Sequence, residues 1–211
     1  MAGDSDRPGA QEWVPDRGGI TALRRAAPSC RGCELWEPAN QVVFSSGSAH
    51  ARVVMVGEEP GDAEDRAGEP FVGPAGKLLR RAVEEAGIAL EEVYLTNAIK
   101  HFSFVQRGKR RIHQKPDLGQ MVACRPWLEA ELQYLDPGLT VLLGASAARQ
   151  VLGPGIKVTK QRGQVLTRET TLGDRRFVPT VHPSSILRAG DRRHDAYAAF
   201  LADLRAVAAA L

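Results

Sequence analysis

Apolar residues along this chain come in two rhythms. Residues 52–56 (R-V-V-M-V), 93–97 (V-Y-L-T-N) and 140–143 (T-V-L-L) are short, nearly continuous runs of strand length. Residues 163–168 and 177–181 predict two more strands joined by a polar turn. Between them the spacing turns helical. Leu78, Leu79, Ala82, Val83 and Ala86 share one face, with Gly87 as the stop. Met121, Cys124, Leu128, Leu132 and Leu135 do the same over 117–135, and Tyr197, Phe200, Leu201, Leu204 and Val207 over 195–211. Shorter helices are predicted at 20–27 and 145–152. Strands alternating with helices argue for an α/β fold in which a parallel sheet is covered on both faces. Residues 1–19, rich in Gly, Pro, Asp and Arg, predict a flexible arm ahead of a single domain over 20–211.

Composition narrows this picture without redirecting it. The 211 residues suffice for one domain with a real core. No apolar run approaches the ~20 residues of a membrane span, and residues 1–28 hold no signal-like apolar stretch, so a cytoplasmic protein without membrane partners is expected. A net charge of +3 is too small to indicate nucleic acid by itself. Its placement says more: residues 107–115 (R-G-K-R-R-I-H-Q-K) hold five Lys or Arg and no acid, with His113 near the far end. Alone, such a run is most often a solvated loop.

In parallel α/β folds, function collects at the carboxyl ends of the strands, and three polar clusters stand there. Gly57-Glu58-Glu59-Pro60-Gly61-Asp62 leaves the first strand, and 71–76 (F-V-G-P-A-G) adds an aromatic platform and a helix start opened by small residues. Asn97 ends the second strand; its amide could pair with the edge of a planar base, although a strand-end Asn is more often a turn former. His182-Pro183-Ser184-Ser185 follows the last strand. The ring can be aimed into a cleft while Ser184, Ser185 and Arg188 meet phosphate. Cys30, Cys33, His101 and Cys124 form a metal candidate. Thiolate-rich ligands suit zinc or an iron–sulfur cluster equally, and Cys124 could instead be a buried apolar residue.

Together these segments resemble the uracil-DNA glycosylase superfamily in its iron–sulfur, family 4-like branch. The carriers are C-R-G-C at 30–33, G-E-E-P-G-D at 57–62, P-F-V-G-P-A-G at 70–76, T-N-A-I-K-H at 96–101, A-C-R-P-W at 123–127 and V-H-P-S-S at 181–185. His101 in place of a Cys, and the K-R-R-I-H insertion at 109–113, are similar to the self-crosslinking subgroup called UdgX. The resemblance implies a three-layer α/β/α fold around a central, mostly parallel four-stranded sheet. It implies a [4Fe–4S] cluster on three Cys and His101, with zinc as the alternative. The implied partner is uracil-containing DNA, single- or double-stranded, bound by a monomer.

It also implies roles. His113 attacks the sugar and stays attached, Glu58 is the motif carboxylate, and His182 donates to the oxyanion. Gly57 and Glu59 line the base site, Phe71 stacks on the base and Asn97 reads it. Lys109, Arg110 and Arg111 would sit on phosphates and hold His113 neutral, while Glu58 accepts its ring N–H. Glu59 stands where that subgroup more typically has Gln. Two other functions compete: an ordinary turnover glycosylase, and a non-enzymatic, metal-stabilised module for single strands.

Overall fold

The computed structural model describes residues 7–170 and 173–211. In chain order the elements are α1 (Gly19–Ala26), β1 (Ser45–Ser46), β2 (Val53–Gly57), α2 (Asp62–Ala67) and α3 (Pro74–Glu85). Then come β3 (Val93–Asn97), β4 (Phe104–Arg107), β5 (Arg110–His113), α4 (Leu118–Leu135), β6 (Leu139–Leu143), α5 (Ala145–Leu152) and α6 (Val158–Gln161). The chain closes with β7 (Leu166–Thr170), β8 (Gly173–Thr180), α7 (Pro183–Leu187) and α8 (Arg193–Ala209).

Among the described residues the sheet has six strands in the order β1-β3-β2-β6-β8-β7, which corrects the expected four. Its parallel part is β3-β2-β6-β8, and β1 and β7 are antiparallel edges. Edge strands have one solvated side and need little apolar surface, so β1, two serines, leaves no pattern to read. The turn expected between β7 and β8 lies outside the described residues.

Alternation along the buried strands builds two cores and hence three layers. Val54 and Val56 join Leu23, Tyr94, Trp127, Leu128 and Ala147 on the α1–α4–α5 side. Val53 and Met55 join Leu79, Val83, Leu95, Val141, Phe200 and Leu204 on the α3–α8 side. A buried polar strut crosses the first core. The Lys100 ammonium is enclosed with the Glu131 carboxylate, and it also donates to Thr96 Oγ1 at 2.6 Å and Asn97 O at 2.9 Å. Glu131 accepts from Tyr94 Oη at 2.8 Å as well, so α4 is bolted to the end of β3.

The expected flexible arm is packed from Arg7 onward. Arg7 pairs with Glu34 at 2.7 Å and Asp117 at 2.8 Å, and Ala10 is buried, its N–H donating to Ala123 O. Gly9 N–H donates to Gly32 O, so this segment lies directly over the C-x-x-C turn. Residues 1–6 lie outside the described residues.

The basic run is a hairpin, not a loop: β4 and β5 pair antiparallel, Phe104 opposite His113 and Arg107 opposite Arg110. Gly108, at φ +58°, supplies the positive dihedral that a two-residue hairpin turn needs.

Candidate active site

The parallel register brings the carboxyl ends of β2, β3, β6 and β8 together, with Gly57 opposite Asn97 and Leu143 opposite Thr180. A cleft of about 560 Å³ opens there. Its walls include Glu58, Glu59, Phe71, Asn97, His113 and His182. Most of the sequence-predicted residues therefore do meet in one place.

Gly57 forms a close wall between two of them. A Cβ there would lie 2.2 Å from Asn97 Oδ1 and 2.8 Å from the Phe71 ring. Asn97 is buried, and Ala98 N–H donates to Gly57 O, which ties β3's exit to β2's. Phe71 holds a left-handed backbone at φ +58°, an unusual state for a bulky residue. Gly76 makes room for it, because a Cβ at 76 would overlap the Phe71 carbonyl. The ring stacks beside His182, with centroids 6.4 Å apart and planes at 30°. Glu64, unmarked in the sequence, clamps this wall: its carboxylate accepts Gly61 N–H at 3.1 Å and Gly73 N–H at 2.9 Å.

His182 caps α7. Its Nδ1 accepts Ser184 N–H at 3.2 Å and lies 2.8 Å from Ser184 Oγ. With Nδ1 an acceptor, the neutral ring carries its proton on Nε2. Burial, with Arg188 and His113 as nearby cations, pushes the ring's pKa down to about 4. It is thus a neutral N–H donor at pH 7, suited to developing negative charge. Ser184 and Arg188 line the cleft; Ser185 does not, since its hydroxyl is turned back onto His182 O at 2.7 Å.

The hairpin delivers His113 to the cleft, and its partner differs from the expectation. Nε2 lies 2.5 Å from Glu59 Oε1, not at Glu58. Adjacent residues leaving a strand point in different directions, and here the second acid faces the hairpin. Glu58 keeps one enclosed oxygen, Oε1, with no hydrogen-bond partner, at the cleft wall. The contact with Glu59, and not the hairpin cations, is the largest influence on the His113 ring. Contact with Glu59 raises its pKa, outweighing burial and the opposing charge of Arg188.

Arg111 is also reassigned. Its guanidinium meets Asp62 Oδ1 and Asp65 Oδ2, each at 2.5 Å, and packs near the rings of Phe102 and Phe104. Its side chain is only 9% exposed, so it anchors the hairpin to α2 instead of facing phosphate. Lys109 and Arg110 remain exposed at the hairpin tip.

Cys30, Cys33, His101 and Cys124 line one small cavity with Gly32, Lys100, Ala123 and Trp127. All three cysteines are free, and Trp127 Nε1–H donates to Cys30 Sγ at 3.3 Å. Burial pushes the Cys33 thiol up to about 11 and Cys124 to about 12, and holds His101 down at about 4. A neutral imidazole beside enclosed sulfurs that only a cation would deprotonate is a donor set fitting a thiolate-bound metal centre. Among the described residues, no three His, Cys, Asp or Glu close up as a single-ion site.

Sequence reasoning missed the α5 entrance. Gly144, Ala145 and Ser146 also line the cleft, Gly144 beside His182, and Gly144, at φ +95°, donates its N–H to Thr180 O. The only signal was a glycine directly after an apolar strand.

A sequence profile described as the Uracil DNA glycosylase superfamily matches residues 44–205. The type-4 uracil-DNA glycosylase of Thermotoga maritima is 36% identical over 160 residues, 75% of this chain and 78% of that protein. The one from Sulfurisphaera tokodaii is 30% identical over 173 residues, 80% of this chain and 76% of its own. A DNA polymerase of Bacillus phage SP01 is 30% identical over 143 residues, 67% of this chain but 14% of the polymerase. On a match spanning most of its length, with the profile's region holding the whole cleft, this chain belongs to the uracil-DNA glycosylase superfamily.

Proposed function

We propose that this protein excises uracil from DNA and is then captured on the abasic sugar through His113, as in the UdgX subgroup. The observation that carries the reading is the hairpin, which brings an imidazole to the edge of the cleft formed by Phe71, Asn97 and His182. Superfamily membership and the type-4 relatives support the excision step.

The base is turned out of the stack into the cleft. Phe71 replaces the lost stacking and Asn97 pairs with the uracil edge. As the C1′–N1 bond lengthens, its electron pair leaves with uracil, negative charge grows on O2 and the sugar becomes oxocarbenium-like. The His182 Nε2–H stabilises that oxyanion. Glu58, with one oxygen unpartnered, faces the positive sugar. A lone pair of the His113 ring then bonds C1′, giving an imidazolium on an abasic sugar. Nothing in the cleft offers to reverse that bond, so one turnover is expected. Lys109, Arg110, Ser184 and Arg188 would meet the phosphates.

Cys30, Cys33, Cys124 and His101 would hold a [4Fe–4S] cluster, whose contribution is to staple residues 30–33 and α4 to the segment between β3 and β4. Four such donors around one cavity suit a thiolate-bound centre, and zinc is the alternative occupant.

A denaturing gel of metal-replete protein with a uracil oligonucleotide tests the reading. A retarded band is expected with uracil and none with thymine, and His113→Ala should lose the band while still releasing uracil. Uracil release in large excess over protein without any band would favour a turnover enzyme, and a band undiminished in His113→Ala would remove His113 as nucleophile.

A further inference from the structure

Residues 7–10, which the sequence places in a flexible arm, cross the outside of the cavity lined by the cysteines. Each contact that fastens them lands beside a cysteine or at the start of the helix carrying one. Gly9 N–H donates to Gly32 O at 3.0 Å, between Cys30 and Cys33, and Ala10 N–H donates to Ala123 O at 2.8 Å, directly before Cys124. Two adjacent peptides thus bridge the C-x-x-C turn and α4. Arg7 repeats the bridge with charge. Its Nε and Nη2 donate to the Glu34 carboxylate at 2.8 and 2.7 Å, and its Nη1 and Nη2 to the Asp117 carboxylate, both at 2.8 Å. Glu34 follows Cys33, and Asp117 caps α4, which carries Cys124. A planar guanidinium shared by two carboxylates fixes their separation, which a single ammonium would not do.

The receiving surface is shaped for this segment. Gly32 is buried and its φ is not positive, so backbone freedom does not explain the glycine. A Cβ there would lie 2.7 Å from Gly9 C and 2.8 Å from Ala10 N. Its absence is what lets the segment lie down. Pro126, inside α4, offers no N–H to the turn before it, the turn whose Ala123 O accepts from Ala10. Ala10 packs in one core cluster with Cys30 and Cys124, and Arg7 is itself mostly enclosed.

We propose that residues 7–10 are a strap that retains the metal centre, with Arg7 as a positioning residue that holds Cys30 and Cys33 against Cys124 through Glu34 and Asp117. This rests on the thiolate-bound centre proposed above, whether cluster or zinc. The reason lies in how the donors are spread along the chain. Two thiolates sit on one short turn and the third on a helix some ninety residues later, so a bound metal is lost when those two segments part. Trp127 Nε1–H ties them from within the cavity, by donating to Cys30 Sγ at 3.3 Å, and the strap ties them from outside. Both the strap and the C-x-x-C turn precede residue 44, where the superfamily profile begins its match. The strap therefore belongs to the metal site and not to the base-excision cleft.

Two variants lift the strap by different means. Arg7→Ala removes both ion pairs without touching a metal ligand, and Gly32→Ala drives a methyl into Gly9 and Ala10. Phe200→Leu is the control, since it loosens the α3–α8 core on the other face of the sheet. Each full-length protein is loaded with metal and mixed with excess chelator, and iron or zinc release is followed by the chelate's absorbance. Deuterium exchange at Ala10 N–H and the denaturant midpoint are read on the same samples. Groups that orient metal ligands are worth about ten- to a hundredfold in metal affinity. Both strap variants should release metal at least about tenfold faster than the native protein, with faster exchange at Ala10. Phe200→Leu should lower the midpoint and release metal at the native rate.

Native release rates in both strap variants overturn the proposal. Equal acceleration in Phe200→Leu does so too, because retention is then a matter of overall stability. If the new methyl keeps Gly32→Ala from loading, Arg7→Ala alone decides. A native protein that holds neither iron nor zinc after reconstitution removes the metal centre, and the strap's role with it. Metal held and released at the native rate, while Ala10 N–H exchanges freely in the variants, leaves the centre in place and removes only the strap.

Discussion

At Gly57, an added Cβ would sit 2.2 Å from Asn97 Oδ1 and 2.8 Å from Phe71 Cζ, and both neighbours are buried and cannot retreat. Gly57→Ala should therefore displace the base-reading amide and the stacking ring together. Displacements on the 1 Å scale cost about a hundredfold in rate, whereas the overpacking itself costs ~1–3 kcal/mol of stability. Single-turnover uracil release beside a melting curve checks this; a variant as fast as the native protein would show that Gly57 does not wall the base site. The same scale explains one misreading. That Glu58 and Glu59 both belong to the site is visible in G-E-E-P-G-D, but which one meets His113 depends on side-chain direction at a strand exit.

The decisive element is the β4–β5 hairpin. Its four-residue strands, F-V-Q-R and R-R-I-H, are short and carry Val105 and Ile112 exposed, so no apolar alternation marks them in the sequence. Arg111 shows why the hairpin holds its place. Asp65 is fully buried and keeps only Asn40 N–H for company when the guanidinium is removed. Arg111→Ala strands that charge, at ~3–5 kcal/mol, and frees the hairpin from α2. Adduct per uracil released should fall at least about tenfold, the equivalent of ~1.4 kcal/mol of positioning. Quantifying both products in one reaction checks this, and an unchanged ratio would return Arg111 to the DNA surface.

Across the whole molecule, the Lys100–Glu131 strut joins the cavity walled by the cysteines to the carbonyl of Asn97 in the base site. Both side chains are essentially inaccessible, at 1% and 0%. Lys100→Met leaves an unpaired buried carboxylate and should cost ~3–5 kcal/mol. Adding Glu131→Gln should recover part of it, because the amide is neutral and its oxygen still accepts from Tyr94 and Thr96. Denaturant midpoints of the three proteins decide it. If Lys100→Met is as stable as the native chain, the strut is dispensable.

The sequence by itself determined the buried strands, their helical covers and the clustering of polar motifs at the strand ends, because apolar periodicity and glycine punctuation are local properties. It also marked His101 and the three cysteines that the fold brings to one cavity. Only the tertiary structure decided the serine edge strand β1, the docking of Arg7, Gly9 and Ala10, the inward turn of Arg111 and the contact of His113 with Glu59. Each depends on partners distant in the chain: Arg7 reaches Asp117, Arg111 reaches Asp62 and Asp65, and Glu59 reaches both Ser103 and His113. Whether a charge faces water or a buried carboxylate is set by what else is enclosed with it, and no spacing along the chain encodes that.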